Sequence, residues 1–145
     1  MRTLCHRYLI VRSAWVYGIG RDFVSTVLNA AADPTCPWLA VPTDRFASPT
    51  SADDLTAAVE QLIDHDTLGI YHIVCQGRCS RYDFAQAILK AAHMEDKLEL
   101  HPIRAADAGS TPSYTVLDNL MLRLDNLPQP RLWKDALNEY INSLQ

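Results

Sequence analysis

The sequence predicts an α/β fold, and three observations carry that prediction. From Tyr8 to Cys75 the apolar patterns alternate in the order strand, helix, strand, helix, strand. Two of those strands, Leu9-Ile10-Val11 and Ile70 to Cys75, are mainly apolar without a polar face, as strands covered on both sides of a parallel sheet are. Two helices open on a serine with an aspartate three residues later, Ser51 with Asp54 and Ser80 with Asp83, the pattern of a capping box.

The first strand, Tyr8 to Val11, runs into a polar and aromatic exit, Arg12 to Gly20. Ligands of open α/β sheets lie outside the carboxyl ends of the strands, so Arg12, Ser13, Trp15 and Tyr17 stand where binding or chemistry is expected. The same residues also read as a strand and surface turn with Trp15 and Tyr17 packed as core aromatics. Arg21 to Ala32 then places Phe23, Val24, Val27, Leu28 and Ala31 at helical spacing, and Asp33-Pro34 ends that helix. Trp38 to Val41 is a short strand closed by Pro42, and Thr43 to Thr50 is a loop with Arg45 and Phe46 as its bulky members.

Ser51 opens the second helix, with Leu55, Ala58, Val59, Leu62 and Ile63 as its buried stripe. Gly69 breaks it ahead of the Ile70–Cys75 strand. The third helix, from Ser80, buries Phe84, Ala87, Ile88 and Ala91. Leu98 to Ile103 is a short alternating strand, Arg104 to Ser113 a loop, and Val116 to Leu124 a short element. Pro128 and Pro130 turn the chain into a last helix, where Leu132, Trp133, Ala136, Leu137, Tyr140, Ile141 and Leu144 repeat at helical spacing.

Composition bounds the function. With 145 residues, 48% hydrophobic and 21% charged, the chain reads as one soluble globular unit able to bury a core. A net charge of −4 with scattered Lys and Arg leaves no footprint for nucleic acid or an anionic membrane. No apolar run reaches the roughly 18 residues of a membrane span, and the start, MRTLCHRYLIV, lacks a secretory cleavage pattern, so a cytoplasmic address is expected. Cys5, Cys36, Cys75 and Cys79 are expected as reduced thiols in a chain this well supplied with apolar residues. His72, Cys75 and Cys79 match no structural zinc spacing, so no metal is expected, and His6, His65, His93 and His101 are isolated.

Read together, the segments carry a resemblance. Arg12-Ser-Ala-Trp-Val-Tyr-Gly18, Asp22-Phe-Val24, Phe46-Ala-Ser-Pro-Thr50, Ala52-Asp-Asp-Leu55, Gly69-Ile-Tyr-His72, Ser80-Arg-Tyr-Asp-Phe-Ala85, Val116-Leu-Asp118 and Trp133-Lys-Asp-Ala-Leu137 follow in order. This resembles the C-terminal half of a dTDP-4-dehydrorhamnose reductase of the extended short-chain dehydrogenase/reductase superfamily, over nearly the whole chain. The resemblance implies a partial Rossmann-type parallel sheet, of which Tyr8–Val11 and Ile70–Val74 are the last two strands, with a small α+β nucleotide-sugar-binding subdomain. The full-length family is roughly twice this size and reduces dTDP-4-dehydro-L-rhamnose to dTDP-L-rhamnose with NADPH.

By that resemblance Trp15 lies against the sugar, with Tyr17 beside it. Ser13 and Ala14 line the nicotinamide end of the cleft, and the Arg45–Thr50 loop, with Arg45, Phe46, Ser48 and Thr50, closes over the dTDP-sugar. An aromatic face suits a deoxysugar and an arginine suits a pyrophosphate. The sequence departs from the family in two ways that matter. Gly18-Ile-Gly20 lacks the third glycine of a dinucleotide turn, and no tyrosine has a lysine four residues later, so the proton donor pair is missing. Thr111-Pro112 also stands where the family tends to have Arg-Pro. Asp53 matches an acidic position at a metal-bridged dimer contact in some members, and reads here as a first-turn residue favoured by the helix dipole.

The expectation is therefore a unit, residues 1–145, that matches the substrate-binding half without the cofactor half, binds no NADP(H) tightly by itself and is inactive alone. An apolar two-strand remnant with an open edge implies self-association or a companion chain carrying the cofactor half. Two alternatives stand beside it: a non-catalytic binding module, like the regulatory β subunit of methionine adenosyltransferase, and a degenerate remnant.

Overall fold

A computed structural model describes residues 7–144, so Cys5 and His6, and the start of the chain read above for a leader, lie outside the described residues. In chain order the elements are β1 (Leu9–Arg12), β2 (Val16–Tyr17), α1 (Phe23–Ala32), β3 (Trp38–Pro42), β4 (Arg45–Ala47), β5 (Thr50–Ser51) and α2 (Ala52–Asp64). There follow β6 (Gly69–His72), β7 (Cys79–Ser80), α3 (Arg81–Ala91), β8 (Glu99–Ile103), a 3₁₀ turn (Ala105–Ala108), β9 (Ser113–Tyr114), α4 (Leu120–Leu124) and α5 (Trp133–Ser143). Among the described residues no helix is long and apolar enough to cross a membrane.

The fold is mixed α/β, and the two apolar strands pair in parallel as their composition requires: β1 lies on β6 from Leu9 opposite Gly69 to Arg12 opposite His72. One face of this pair is covered. Leu9 and Val11 pack on a buried cluster of Ala58, Leu62, Tyr71, Ile73, Leu122 and Leu127 from α2, β6, α4 and their flanks. Ile10 and Ile70, paired on the other face, belong to neither buried cluster and are only half-buried. The larger core lies between α1, α3 and α5 and the parallel pair β3–β8, with Val24, Val27, Phe84, Ile88, Trp133 and Leu137 at its centre.

Several boundaries differ from the sequence reading, each for a local reason. The first helix begins at Phe23 rather than Arg21, because Asp22 is its N-cap: its carboxylate accepts from Ser25 N at 2.7 Å while its own N–H donates to Ser25 Oγ. The Ser80–Asp83 capping box is present in full. The Ser51–Asp54 one is not: Ser51 Oγ accepts from Asp54 N, but the Asp54 carboxylate takes the Ser51 hydroxyl and Arg131 instead of the cap N–H. Ile63, 64% exposed, does not belong to the buried stripe of α2, and Leu132 and Leu144 are likewise exposed at the ends of α5. The second apolar strand pairs only as Gly69–His72. Thr43–Thr50 is not a plain loop, since it holds β4 and the start of β5, and Arg104–Ser113 contains the 3₁₀ turn and the start of β9.

These short strands build the layer that carries the site. β4 lies between β7, antiparallel, and β9, parallel, while β2 and β5 join in parallel through Val16–Thr50 and Tyr17–Ser51.

Candidate functional site

Ser13, Ala14 and Trp15 leave the carboxyl end of β1, where the sheet rule places a ligand. Trp15 has φ 42°, a left-handed conformation that costs energy for a bulky residue and that surrounding contacts must hold. Three contacts do so. Thr50 N donates to Trp15 O at 3.3 Å, the Arg81 guanidinium lies 3.8 Å from the Trp15 ring centroid, and Phe84 stacks on the ring at 6.3 Å. The indole is half-buried, clasped by the start of α3.

Tyr17, two positions on, is only 2% exposed, packed on Phe84 at 5.7 Å and Tyr140 at 5.4 Å. Its hydroxyl and that of Ser13 are buried side-chain oxygens without a hydrogen-bond partner among the described residues. Burial, with Cys75 and Asp54 adding to it, pushes the Tyr17 phenol far above its ordinary value, so it stays protonated.

The Arg45–Thr50 segment divides in two. Arg45 and Phe46 remain half-buried at its start. Arg45 Nε points at Ser113 Oγ at 3.5 Å, and Phe46 packs on Tyr114 at 6.1 Å. Ser48 and Thr50 are buried and turned inward: Ser48 Oγ donates to Gly77 O at 2.7 Å, and Thr50 Oγ1 donates to Ser48 O and accepts from Cys75 N at 3.2 Å. These ties fasten the segment to the chain leaving β6. Of the eight residues nominated from sequence, Trp15, Arg45 and Phe46 keep reachable side chains, Ser13 and Ala14 border the strand end, and Tyr17, Ser48 and Thr50 act as supports.

Two arginines join them that were not nominated. Arg81 covers Trp15 and, at 4.4 Å, Phe23. Burial and the nearby Arg45 lower its pKa to about 10. A signal for it was in the sequence: a cation in the first turn of a capped helix opposes the dipole and asks for a reason. Arg78 donates to Tyr114 OH at 2.6 Å from the loop ahead of β7. No sequence periodicity marks that contact, because it depends on β9 lying beside β4.

A cleft of about 420 Å³ opens next to this layer, bordered by Ser48, Gly77, Arg78, Val116, Asp118 and Arg123. A larger one, about 770 Å³, lies between α3, β8 and the start of α5 and takes in none of the nominated residues. Size alone therefore does not select the site. Position at the strand ends, the strained tryptophan and arginines without an ion pair among the described residues do. Among the described residues no group of three or more His, Cys, Asp or Glu is placed to share a metal ion. The arrangement offers an aromatic face, hydrogen-bonding supports and positive charge, which is binding chemistry.

Comparison with known proteins bears on what is bound. A family model described as the RmlD substrate binding domain matches residues 1–145. The chain is 37% identical over 134 residues to the spore coat polysaccharide biosynthesis protein SpsK of Bacillus subtilis, covering 91% of this chain and 46% of that protein. It is 34% identical over 143 residues to a dTDP-4-dehydrorhamnose reductase of Mycolicibacterium smegmatis, covering 91% of this chain and 41% of the relative. The fold superposes on a dTDP-4-dehydrorhamnose reductase structure from Clostridium acetobutylicum with TM-score 0.92 at 37% identity, over 99% of this chain and 51% of that one. It also superposes on a Bacillus anthracis reductase in complex with NADP with TM-score 0.91 at 29% identity, again over 99% and 51%. The chain thus spans about half the length of the relatives it matches.

Proposed function

The chain belongs to the RmlD substrate-binding-domain family, and on that premise we propose that it is the nucleotide-sugar-binding portion of a dTDP-4-dehydrorhamnose reductase. One observation carries the reading from fold to site: Trp15, held at φ 42° at the carboxyl end of β1, is where an aromatic face can meet a deoxysugar. Arg45 and Phe46 flank the path to it, with Ser48, Thr50 and Tyr17 fixing their backbone. The substrate of the whole reductase would be dTDP-4-dehydro-L-rhamnose, and the product dTDP-L-rhamnose.

NADPH supplies the hydride in such a reaction. Ser13, whose buried hydroxyl has no partner among the described residues, fits one hydrogen bond to that cofactor, and Ala14 borders the same point. This sequence holds no glycine-rich dinucleotide turn and no Tyr-x3-Lys pair. The part of the work assigned to these residues is to bind and orient the sugar nucleotide, and residues 1–145 form the unit that does it.

A second reading, a non-catalytic module that engages a partner, has one observation in its favour. Ile10 and Ile70 pair across β1–β6 and belong to neither core cluster among the described residues. A companion carrying the cofactor half, or a second copy of this chain, would cover them. Calorimetric titration with dTDP-rhamnose, with and without NADPH, tests the first reading. Sugar-nucleotide binding with neither tight NADPH binding nor NADPH oxidation by the chain alone is expected. Failure to bind any dTDP-sugar, with capture of a partner by the Ile10–Ile70 face, would transfer the weight to the second.

A further inference from the structure

The strand register sets two arginines beside each other. β4 and β7 run antiparallel with Phe46 opposite Ser80 and Ala47 opposite Cys79, so Arg45, next to Phe46, and Arg81, the first residue of α3 after Ser80, are neighbours where the ladder ends. Like charges held close together are destabilising, and half-burial of both residues adds to the cost.

Nothing in the described residues offsets that cost with negative charge. Ion pairs there engage Arg7, Arg123, Arg131 and His101, and none reaches Arg45 or Arg81. The acids nearest in sequence have other duties: Asp83 accepts from the Ser80 N–H and hydroxyl, and Asp44 accepts from Ala105 N. Arg45 meets only the neutral Ser113 hydroxyl, and Arg81 rests on the rings of Trp15 and Phe23. Two neighbouring arginines without a carboxylate between them are relieved by an anion presenting several oxygens to both.

We infer that Arg45 and Arg81 form a two-arginine receptor for the diphosphate of the ligand, and that Arg81, lying on the Trp15 ring, makes that ring sense whether the receptor is filled. The assignment rests on the nucleotide-sugar reading of the same site and adds a residue and a coupling to it.

The test titrates the whole chain with inorganic pyrophosphate, then with phosphate, dTDP and dTDP-rhamnose, following calorimetry and tryptophan emission in a Trp38→Phe background that removes the exposed indole. Pyrophosphate is expected to bind saturably, to shift the emission and to compete with dTDP-rhamnose. Arg81→Leu and Arg45→Leu should each weaken it about tenfold or more, with Arg81→Lys recovering only part, since an ammonium lacks the fork. Arg45→Leu, which relieves the repulsion without removing a contact to Trp15, should also raise the thermal midpoint of the ligand-free chain, the reverse of what loss of a structural residue gives. If that variant does not fold, Arg81→Lys and Arg45→Gln carry the same comparison.

Equal pyrophosphate affinity in wild type and the arginine variants overturns the receptor. So does phosphate binding as tightly as pyrophosphate, which would make it a general anion site. Binding of dTDP-rhamnose that pyrophosphate does not displace overturns the receptor and leaves the proposed function standing. Arginine-dependent pyrophosphate binding that neither dTDP nor dTDP-rhamnose displaces shows an anion site at the two arginines but overturns its assignment to the ligand's diphosphate, and absence of dTDP-rhamnose binding overturns the proposed function as well.

Discussion

Asn119 grips Val74 by both of its backbone groups: its side-chain oxygen accepts from Val74 N at 3.0 Å and its side-chain nitrogen donates to Val74 O at 2.7 Å. Both residues are buried, so Asn119 acts as a one-residue strand partner that carries the chain past the end of β6 toward the site cleft. Asn119→Ala leaves two buried backbone groups unpaired and is expected to lower the unfolding free energy by about 2–4 kcal/mol, read from urea midpoints. Asn119→Asp should fail to restore it, because a carboxylate facing Val74 O has no proton to donate.

Tyr17→Phe removes a buried hydroxyl that has no partner among the described residues while keeping the ring on Phe84 and Tyr140. The substitution is expected to leave stability unchanged or raise it by up to about 1 kcal/mol. Thermal melts check this, and a clear loss would show that the hydroxyl is paired in solution.

Alkaline pH should weaken the fold through two buried thiols. Burial raises Cys75 to about 11 and Cys79 to about 12, from an ordinary value of 9.0. A folded-state pKa above the unfolded one stabilises the fold fully below pH 9 and loses that contribution as pH rises toward 11 and 12. Midpoints recorded from pH 8 to pH 11 should fall in the wild type and fall less in a Cys75→Ala, Cys79→Ala chain. The buried Tyr17 phenol adds a further loss in the upper part of that range that the double variant keeps.

Gly18 is fixed from both sides, its N–H donating to Asp22 Oδ2 at 2.8 Å and its carbonyl accepting from Tyr140 OH at 2.6 Å. A Cβ there would stand 2.9 Å from Ala52 Cβ. Gly18→Ala is expected to cost about 1–3 kcal/mol by overpacking, and Ala52→Gly on the same background should return much of it. A double-mutant cycle reads the coupling.

The parallel β1–β6 pair and the Ser51 and Ser80 helix caps, of which only Ser80 forms the full capping box, are legible in the residues, because apolar runs and cap spacings are local signals. The β7–β4–β9 layer is not, since strands of two or three residues complete too little of an alternating period to be seen. Legibility of the site follows the same line. Trp15 and Arg45 stand out as residues, but the difference between Trp15, half-buried at a strand exit, and Tyr17, sealed two positions on, is made by Phe84 and Tyr140 from distant helices. Arg81 is marked in sequence only as a cation opposing the dipole of a capped helix, and its place on Trp15 comes from packing between α3 and the exit of β1. Ile63, Leu132 and Leu144 fit the helical period yet lie near helix ends, where the core has already curved away.

The pairing of β1 with β6 also sets an order of events during synthesis. Leu9 waits for Gly69 and Trp38 for Glu99, so each parallel pair closes a loop of some sixty residues. At about 5–20 residues per second β6 follows β1 by on the order of 3–12 s. The capped helices α1 and α2 can form in that interval, and α2 carries Ala58 and Leu62, which meet the Leu9 and Val11 side of β1, before β6 completes the pair. The apolar face of β1 is thus met first by a helix made locally and only later by its strand partner.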